Sequence, residues 1–245
     1  MGSPRFHVEI PLAPAMIGET LPLPTPAAHH AVRVVRLAVG DTLTLFDGAG
    51  GEYAAILVRA ERGDAHVRIE SFDPIERESP FAVTIAQAIA ANDAMDYAVR
   101  KSVELGVAAL QPIVSERSAP LPSGDRGNKR LAHWRGIAVA ACEQCGRNRI
   151  PRVEAALPWS EWLGQWRGAG LMLVPGATAV LAALPRPTSP IALAIGPEGG
   201  FTAREIGAAE RAGWQPVSFG PRVLRTETAA VAALAALQSL WGDLR

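Results

Sequence analysis

Cysteine and lysine are nearly missing from this chain of 245 residues: it has two cysteines, and of its 24 cationic residues only Lys101 and Lys129 are lysine. Two cysteines exclude a disulfide-stapled scaffold. Cys142 and Cys145, in "CEQC", have no further cysteines to complete a structural zinc site, and no metal is expected. A redox CxxC opens a helix after a strand, whereas this one falls near the end of a helix. At i and i+3 its thiols share one face and read as packing. Net charge is zero, so charge as a whole neither demands nor excludes nucleic acid. The longest apolar stretch, "TAAVAALAALQSLW", is shorter than the ~18 residues of a membrane span. The start, "MGSPRFHVEI", has no apolar segment of signal-peptide type. The expectation is a cytoplasmic enzyme or binding protein with no membrane partner.

What is present is uneven. Residues 100–152 carry ten Lys/Arg against four Asp/Glu, while residues 1–78 carry seven against eleven, so the middle of the chain is its basic part. Arginine forks suit phosphate recognition, and a GC-rich genome gives the same bias. Apolar residues make up 49% and charged residues 20%, enough for a real core in one large or two modest domains.

Residues 1–76 look β-rich. "HVEI", "DTLTLFDG", "GEYAAILVRA" and "DAHVRIESF" alternate or cluster β-formers, and "DGAGGE" is a hairpin signal. One helix, "AAHHAVRVVRLAVG", interrupts them, and a small barrel is expected. "FDPIERESP" then breaks the pattern, giving domains 1–76 and 77–245. From there strands and helices alternate, which predicts a mostly parallel sheet covered on both faces. Asn92 is read as the N-cap of a helix closed by Gly106, the loose "SGDRGNK" as leading into a helix from Arg130, and "TAVLAALP" as a short helix.

Three successive predicted strands end alike: "LMLVPGA", "LAIGPEGG" and "VSFGPRVLRTET". In a parallel sheet these loops emerge at the carboxyl edge, where open α/β sheets bind ligands. "GPEGG" lacks the lysine of a P-loop, and Glu198 would repel phosphate; no G-x-G-x-x-G occurs in residues 79–245. The helix after it is specified independently, by a Thr202–Glu205 capping box and a Phe201–Ile206 hydrophobic staple. The loops supply backbone groups, one carboxylate (Glu198) and two guanidiniums (Arg222, Arg225), which suits a polar, nucleoside-like ligand better than a polyphosphate. A tight turn with no ligand is the alternative.

"IGPEGGFTAREI" followed by "FGPRVLRTETAAVAAL" closely resembles the C-terminal signature of RsmE-type 16S ribosomal RNA uridine-N3 methyltransferases, of the SPOUT superfamily. "HHAVRVVRLAVGDTLTLFDGAGGEY", "MDYAVRKSVELGV", "SERS" and "HWRGIAVAACEQCGRNRIP" resemble family segments in the family order, so the likeness spans nearly the whole chain. It implies an N-terminal PUA-like RNA-binding β-barrel and a C-terminal SPOUT α/β domain with a trefoil knot. It also implies S-adenosylmethionine as cofactor, a homodimer, and small-subunit ribosomal RNA as partner, within an assembled subunit. The cofactor loops map onto Val174, Pro175 and Gly176; Ile195, Gly196, Pro197, Glu198, Gly199 and Gly200; and Phe219, Gly220, Val223, Leu224, Arg225, Thr226 and Thr228. Where the family usually has basic residues ahead of its "MD" helix, this chain has "ANDAMD", and Ala91 and Ala94 remove cationic contacts.

For methylation of uridine N3, Arg225 is the expected stabiliser of the uracil anion, and Glu198 or Glu227 orients a ligand or takes a proton. A structural brace between Arg225 and either acid is the competing assignment. RNA contacts are expected at Arg5 and Phe6, the latter as a stacking ring, at Arg117, and at Arg33 and Arg36 on the helix opened by His29 and His30, whose alternative is a solvated face. They are also expected at Arg147 and Arg149, which at a helix exit grip either phosphate or neighbouring carboxylates. The rivals are a nicotinamide oxidoreductase, disfavoured by the missing glycine fingerprint, and a non-catalytic RNA-binding or ribosome-assembly factor on the same fold.

Overall fold

A computed structural model describes residues 3–61, 64–120 and 124–244. The chain divides into two compact units, Met1–Glu78 with Cys142–Ile150, and Ser79–Ala141 with Pro151–Arg245.

The first unit holds strands β1 (Arg5–His7), β2 (Thr20–Pro22), β3 (Thr42–Phe46), β4 (Glu52–Glu61) and β5 (Asp64–Asp73), with helix α1 (Thr25–His29) between β2 and β3. They form a mixed five-stranded sheet in the order β1-β3-β4-β5-β2, in which only the β1–β3 pair is parallel. The hairpin read at "DGAGGE" joins β3 to β4. Alternation along β4 and β5 buries Tyr53, Ala55, Leu57, Val67 and Ile69 on one side, with Phe6 and Leu45 in the same core. The long helix expected over 27–40 is corrected. α1 stops at His29, residues 30–35 widen into π-helical turns, and Arg36 takes a left-handed φ of 63° that ends the run. The three β-branched valines in "VRVVR" lower the helix propensity of this run, so tertiary packing of Ala27, Ala28 and Ala31 decides the geometry.

Residues 142–150 belong to this unit through side chains the sequence pattern did not relate to it. Asn148 donates to the Ile75 carbonyl (2.8 Å) and accepts from Arg5 (2.5 Å), Arg77 donates to the Gly146 carbonyl (2.9 Å), and Arg147 pairs with Glu78.

The second unit is a seven-stranded, wholly parallel sheet. Its strands are β6 (Val83–Ala88), β7 (Ala109–Val114), β8 (Arg152–Val153), β9 (Leu157–Pro158), β10 (Ala169–Leu173), β11 (Ile191–Ile195) and β12 (Gln215–Val217). The order is β12-β10-β11-β6-β7-β8, with β9 also pairing β7. β11 is buried at all five positions, as a strand covered on both faces must be. Its helices are α2 (Asn92–Glu104), α3 (Gly124–Cys145, whose last residues fall in the first unit), α4 (Trp159–Gln165), α5 (Ala203–Arg211) and α6 (Thr226–Trp241). On one side Trp159, Trp162, Trp214 and Phe201 form an aromatic cluster; Met95, Val99, Leu234 and Leu237 are buried on α2 and α6, which pack together.

Several local expectations change. Asn92 is the first helical residue rather than the cap, a place held by Ala91. Its side chain instead accepts from Arg130 at 2.7 Å. α3 begins at Gly124, so residues 124–129 of the segment read as loose are helical, and Ser123 lies outside the described residues. "TAVLAALP" shortens to one 3₁₀ turn, Leu181–Ala183, and α4 escaped the sequence reading altogether. Gly106 does close α2, with φ 77°. Among the described residues, no helix is long and apolar enough to cross a membrane.

Candidate functional site

β10, β11 and β12 are neighbours in the sheet, so the three glycine-bearing loops leave the same edge side by side. Each loop turns at one glycine in the left-handed region: Gly176 (φ 78°), Gly200 (φ 66°) and Gly220 (φ 75°). A side chain at any of them would strain the backbone, which is why glycine stands there. In the β11 loop, Gly200 N–H closes a tight turn onto the Pro197 carbonyl at 2.8 Å. The capping box beyond it is formed as read: Thr202 accepts from the Glu205 N–H, and Glu205 accepts from the Thr202 N–H. Phe201 and Ile206 pack in the aromatic cluster, consistent with the staple.

The loops enclose a cleft of about 620 Å3. Fourteen of the sixteen residues assigned to the cofactor loops line it: Val174, Pro175, Ile195, Gly196, Pro197, Glu198, Gly199, Gly200, Phe219, Gly220, Val223, Leu224, Arg225 and Thr226. Gly176 and Thr228 do not; the first turns its loop and the second lies exposed in the first turn of α6. A fourth element, not signalled by the glycine pattern of the three loops, also contributes. Ala91, Asp93 and Ala94, at the start of α2, also line the cleft. The available signal was β6, a parallel strand beside β11 whose exit opens on the same edge.

The charged lining is mixed: Asp93, Glu198 and Glu227 against Arg222 and Arg225. Arg225 is the N-cap residue of α6 and exposed. Among the described residues it makes no ion pair with Glu198 or Glu227, so the brace alternative has no contact behind it. A third arginine touches the β11 loop. Arg117 donates to the Gly199 carbonyl at 2.8 Å, and its stem lies over that glycine, where an added Cβ would come within 3.2 Å.

The residues assigned to RNA fall into two groups. Phe6 is 0% exposed, so its stacking role is corrected: the ring is core. Arg147 is 3% exposed and ion-paired to Glu78, which corrects its assignment as a phosphate contact in favour of the carboxylate alternative. Arg5 is held by Glu52 at 2.5 Å and by Asn148. Burial works to raise the Glu52 pKa, but hydrogen bonds from Arg77 and Arg5 outweigh it and hold this carboxyl down at about 2. Arg33 and Arg36 are exposed, as are Arg117 and Arg149, the last pairing with Glu76 at 3.0 Å. Burial pushes the Cys142 thiol up to about 12, which suits a packed, unreactive side chain.

Two family models match the chain, an RNA methyltransferase domain over residues 77–238 and an RNA methyltransferase PUA domain over residues 23–70. Ribosomal RNA small subunit methyltransferase E of Buchnera aphidicola (from Schizaphis graminum) is 32% identical over 98% of each chain. Its Synechocystis counterpart is 35% identical over 94% of this chain and 76% of its own. Among solved structures, the same-named Neisseria gonorrhoeae protein, bound to S-adenosyl methionine, superposes with a TM-score of 0.92 at 39% identity, each chain covered in full. A Legionella pneumophila protein in complex with SAM gives 0.94 at 37%, again over both whole chains.

Proposed function

The chain belongs to the ribosomal RNA small subunit methyltransferase E family, and from that premise we propose that it transfers a methyl group from S-adenosylmethionine to N3 of a uridine in 16S ribosomal RNA. The observation that carries this reading is the meeting of three adjacent strand-end loops in one cleft of about 620 Å3.

The cleft's donor set fits that cofactor. Apolar walls from Leu173, Ile195 and Leu224 suit a purine face, glycines bring backbone groups close, and carboxylates from Asp93, Glu198 and Glu227 suit a molecule bearing two cationic centres. The cofactor-binding residues are those of the three loops, with Gly176 shaping its turn and Thr228 adjoining. When bound, S-adenosylmethionine supplies a methyl group on a sulfonium for in-line displacement.

The chain's own part is positioning and charge. Arg225 stands at the N-terminus of α6, where the helix dipole adds to its positive charge, and stabilises the negative charge that spreads over the uracil carbonyls as N3 loses its proton. Glu198 or Glu227 accepts that proton or orients the base. Arg33, Arg36, Arg117 and Arg149 are the RNA contacts of this reading, because each guanidinium reaches solvent. The first unit, essentially residues 1–76, acts as a PUA-like barrel that holds RNA, and residues 77–245 form a SPOUT domain with a trefoil knot. The protein works as a homodimer in the cytoplasm on an assembled small subunit.

Nucleoside mass mapping of 16S RNA from cells with and without the gene tests the reading. N3-methyluridine should vanish in the deletion and return on incubating deletion subunits with protein and cofactor. Its persistence in the deletion would refute the assignment.

A further inference from the structure

Gln87 is 2% exposed near the end of β6, in register with Ile195, the last residue of β11 before the Gly-Pro turn. Burying an amide there is costly unless it is bonded. Its nitrogen lies 3.0 Å from the Ala88 carbonyl and 2.8 Å from the Thr226 hydroxyl. A carbonyl only accepts, so the end facing Ala88 must be the NH2, which fixes the orientation of the amide. Thr226 therefore receives a hydrogen bond from Gln87. Its own proton is committed to the Gly196 carbonyl, 2.6 Å away. The donors thus run in one direction, from β6 through the first residue of α6 to the head of the glycine turn. Thr226 and Gly196 line the cleft, whereas Gln87 stands outside the lining. The Gln87 carbonyl oxygen is buried with no partner among the described residues, so its two donated bonds alone hold the amide.

We infer that Gln87 is a positioning residue for the methyl-donor pocket: acting through Thr226, it pins the Gly196 carbonyl to the start of α6 and so fixes the spacing between the loops that follow β11 and β12. The inference rests on the S-adenosylmethionine reading above and adds to it a residue that never meets the ligand. Linked hydrogen bonds of this kind polarise one another: losing the Thr226 hydroxyl releases the Gly196 carbonyl, and losing Gln87 weakens and unfixes the hydroxyl that holds it.

The test is calorimetric affinity for S-adenosylmethionine, with kcat, KM and Tm, for the full-length protein and four variants: Gln87→Met, Thr226→Val, their double, and Thr226→Ser. Gln87→Met and Thr226→Val should each weaken cofactor binding about tenfold, the worth of one buried hydrogen bond. The double should lose no more than about either single, because both interrupt one relay. Thr226→Ser keeps the hydroxyl and should lose clearly less affinity than Thr226→Val, a rescue by the conservative variant. KM for the cofactor should move more than kcat. Unchanged affinity in Gln87→Met, losses that multiply in the double, or a fall in Tm with no change in KM would each overturn the inference. If Thr226→Val fails to fold, Gln87→Met and Thr226→Ser decide. Wild-type protein that takes up no cofactor defeats the underlying reading, whereas wild-type uptake with unaltered variants defeats this inference alone.

Discussion

The exposed guanidinium of Arg225 and the engaged one of Arg5 have the same chemistry and opposite prospects. Arg225 has no carboxylate partner among the described residues, so its charge is available to a developing anion. Arg225→Ala should lower kcat about 100-fold, the usual loss of one aimed donor, and move kcat more than cofactor affinity; single-turnover methylation of small subunits measures it. Arg5 and Arg77 instead serve Glu52. With the Glu52 carboxyl held at about 2, against an ordinary 4.5, the folded state favours the ionised form. That stability is present in full above pH 4.5 and is lost as pH falls toward 2. Urea denaturation across this window should show a steeper loss in wild type than in Glu52→Gln, by about 2 kcal/mol.

Among the elements, α5 is the one most completely written in the sequence. Thr202 and Glu205 stand three apart ahead of an amphipathic run, and the reciprocal bonds form as the spacing dictates. Thr202→Ala should cost about 1 kcal/mol in denaturant unfolding. The strand-end loops were equally legible, because glycine and proline at strand exits leave few backbone choices. Other features were silent for physical reasons. Asp93 reaches the cleft only because β6 lies beside β11, a pairing between residues more than a hundred apart that no local pattern encodes. Phe6 beside Arg5 reads the same whether its ring stacks on a base or fills a core. Arg36 adopts a left-handed conformation that its residue type does not announce. Seven-residue α4, rich in tryptophan, is too short for helical periodicity to stand out.

For the molecule as a whole, zero net charge conceals a division of labour among arginines. Those at 5 and 147 are spent inside the first unit, while those at 33 and 36 face solvent. Affinity for ribosomal RNA should therefore fall with salt, and replacing Arg33 and Arg36 together with alanine should flatten the log–log slope by about 2, one per phosphate contact. Filter binding over a salt series measures this, and an unaltered slope would remove both from the RNA surface.

The nine residues Cys142–Ile150, which belong with the amino-terminal sheet, have a consequence for inheritance. Genetic recombination that exchanged only codons 1–78 with a distant relative would strand Glu78, Arg5 and the Ile75 carbonyl opposite foreign side chains. A fragment ending at residue 78 should melt below the same unit in the intact protein by circular dichroism, and a synthetic peptide of residues 142–150 added in excess should raise its melting point. Gene shuffling that respects this protein must therefore carry two separated cassettes together.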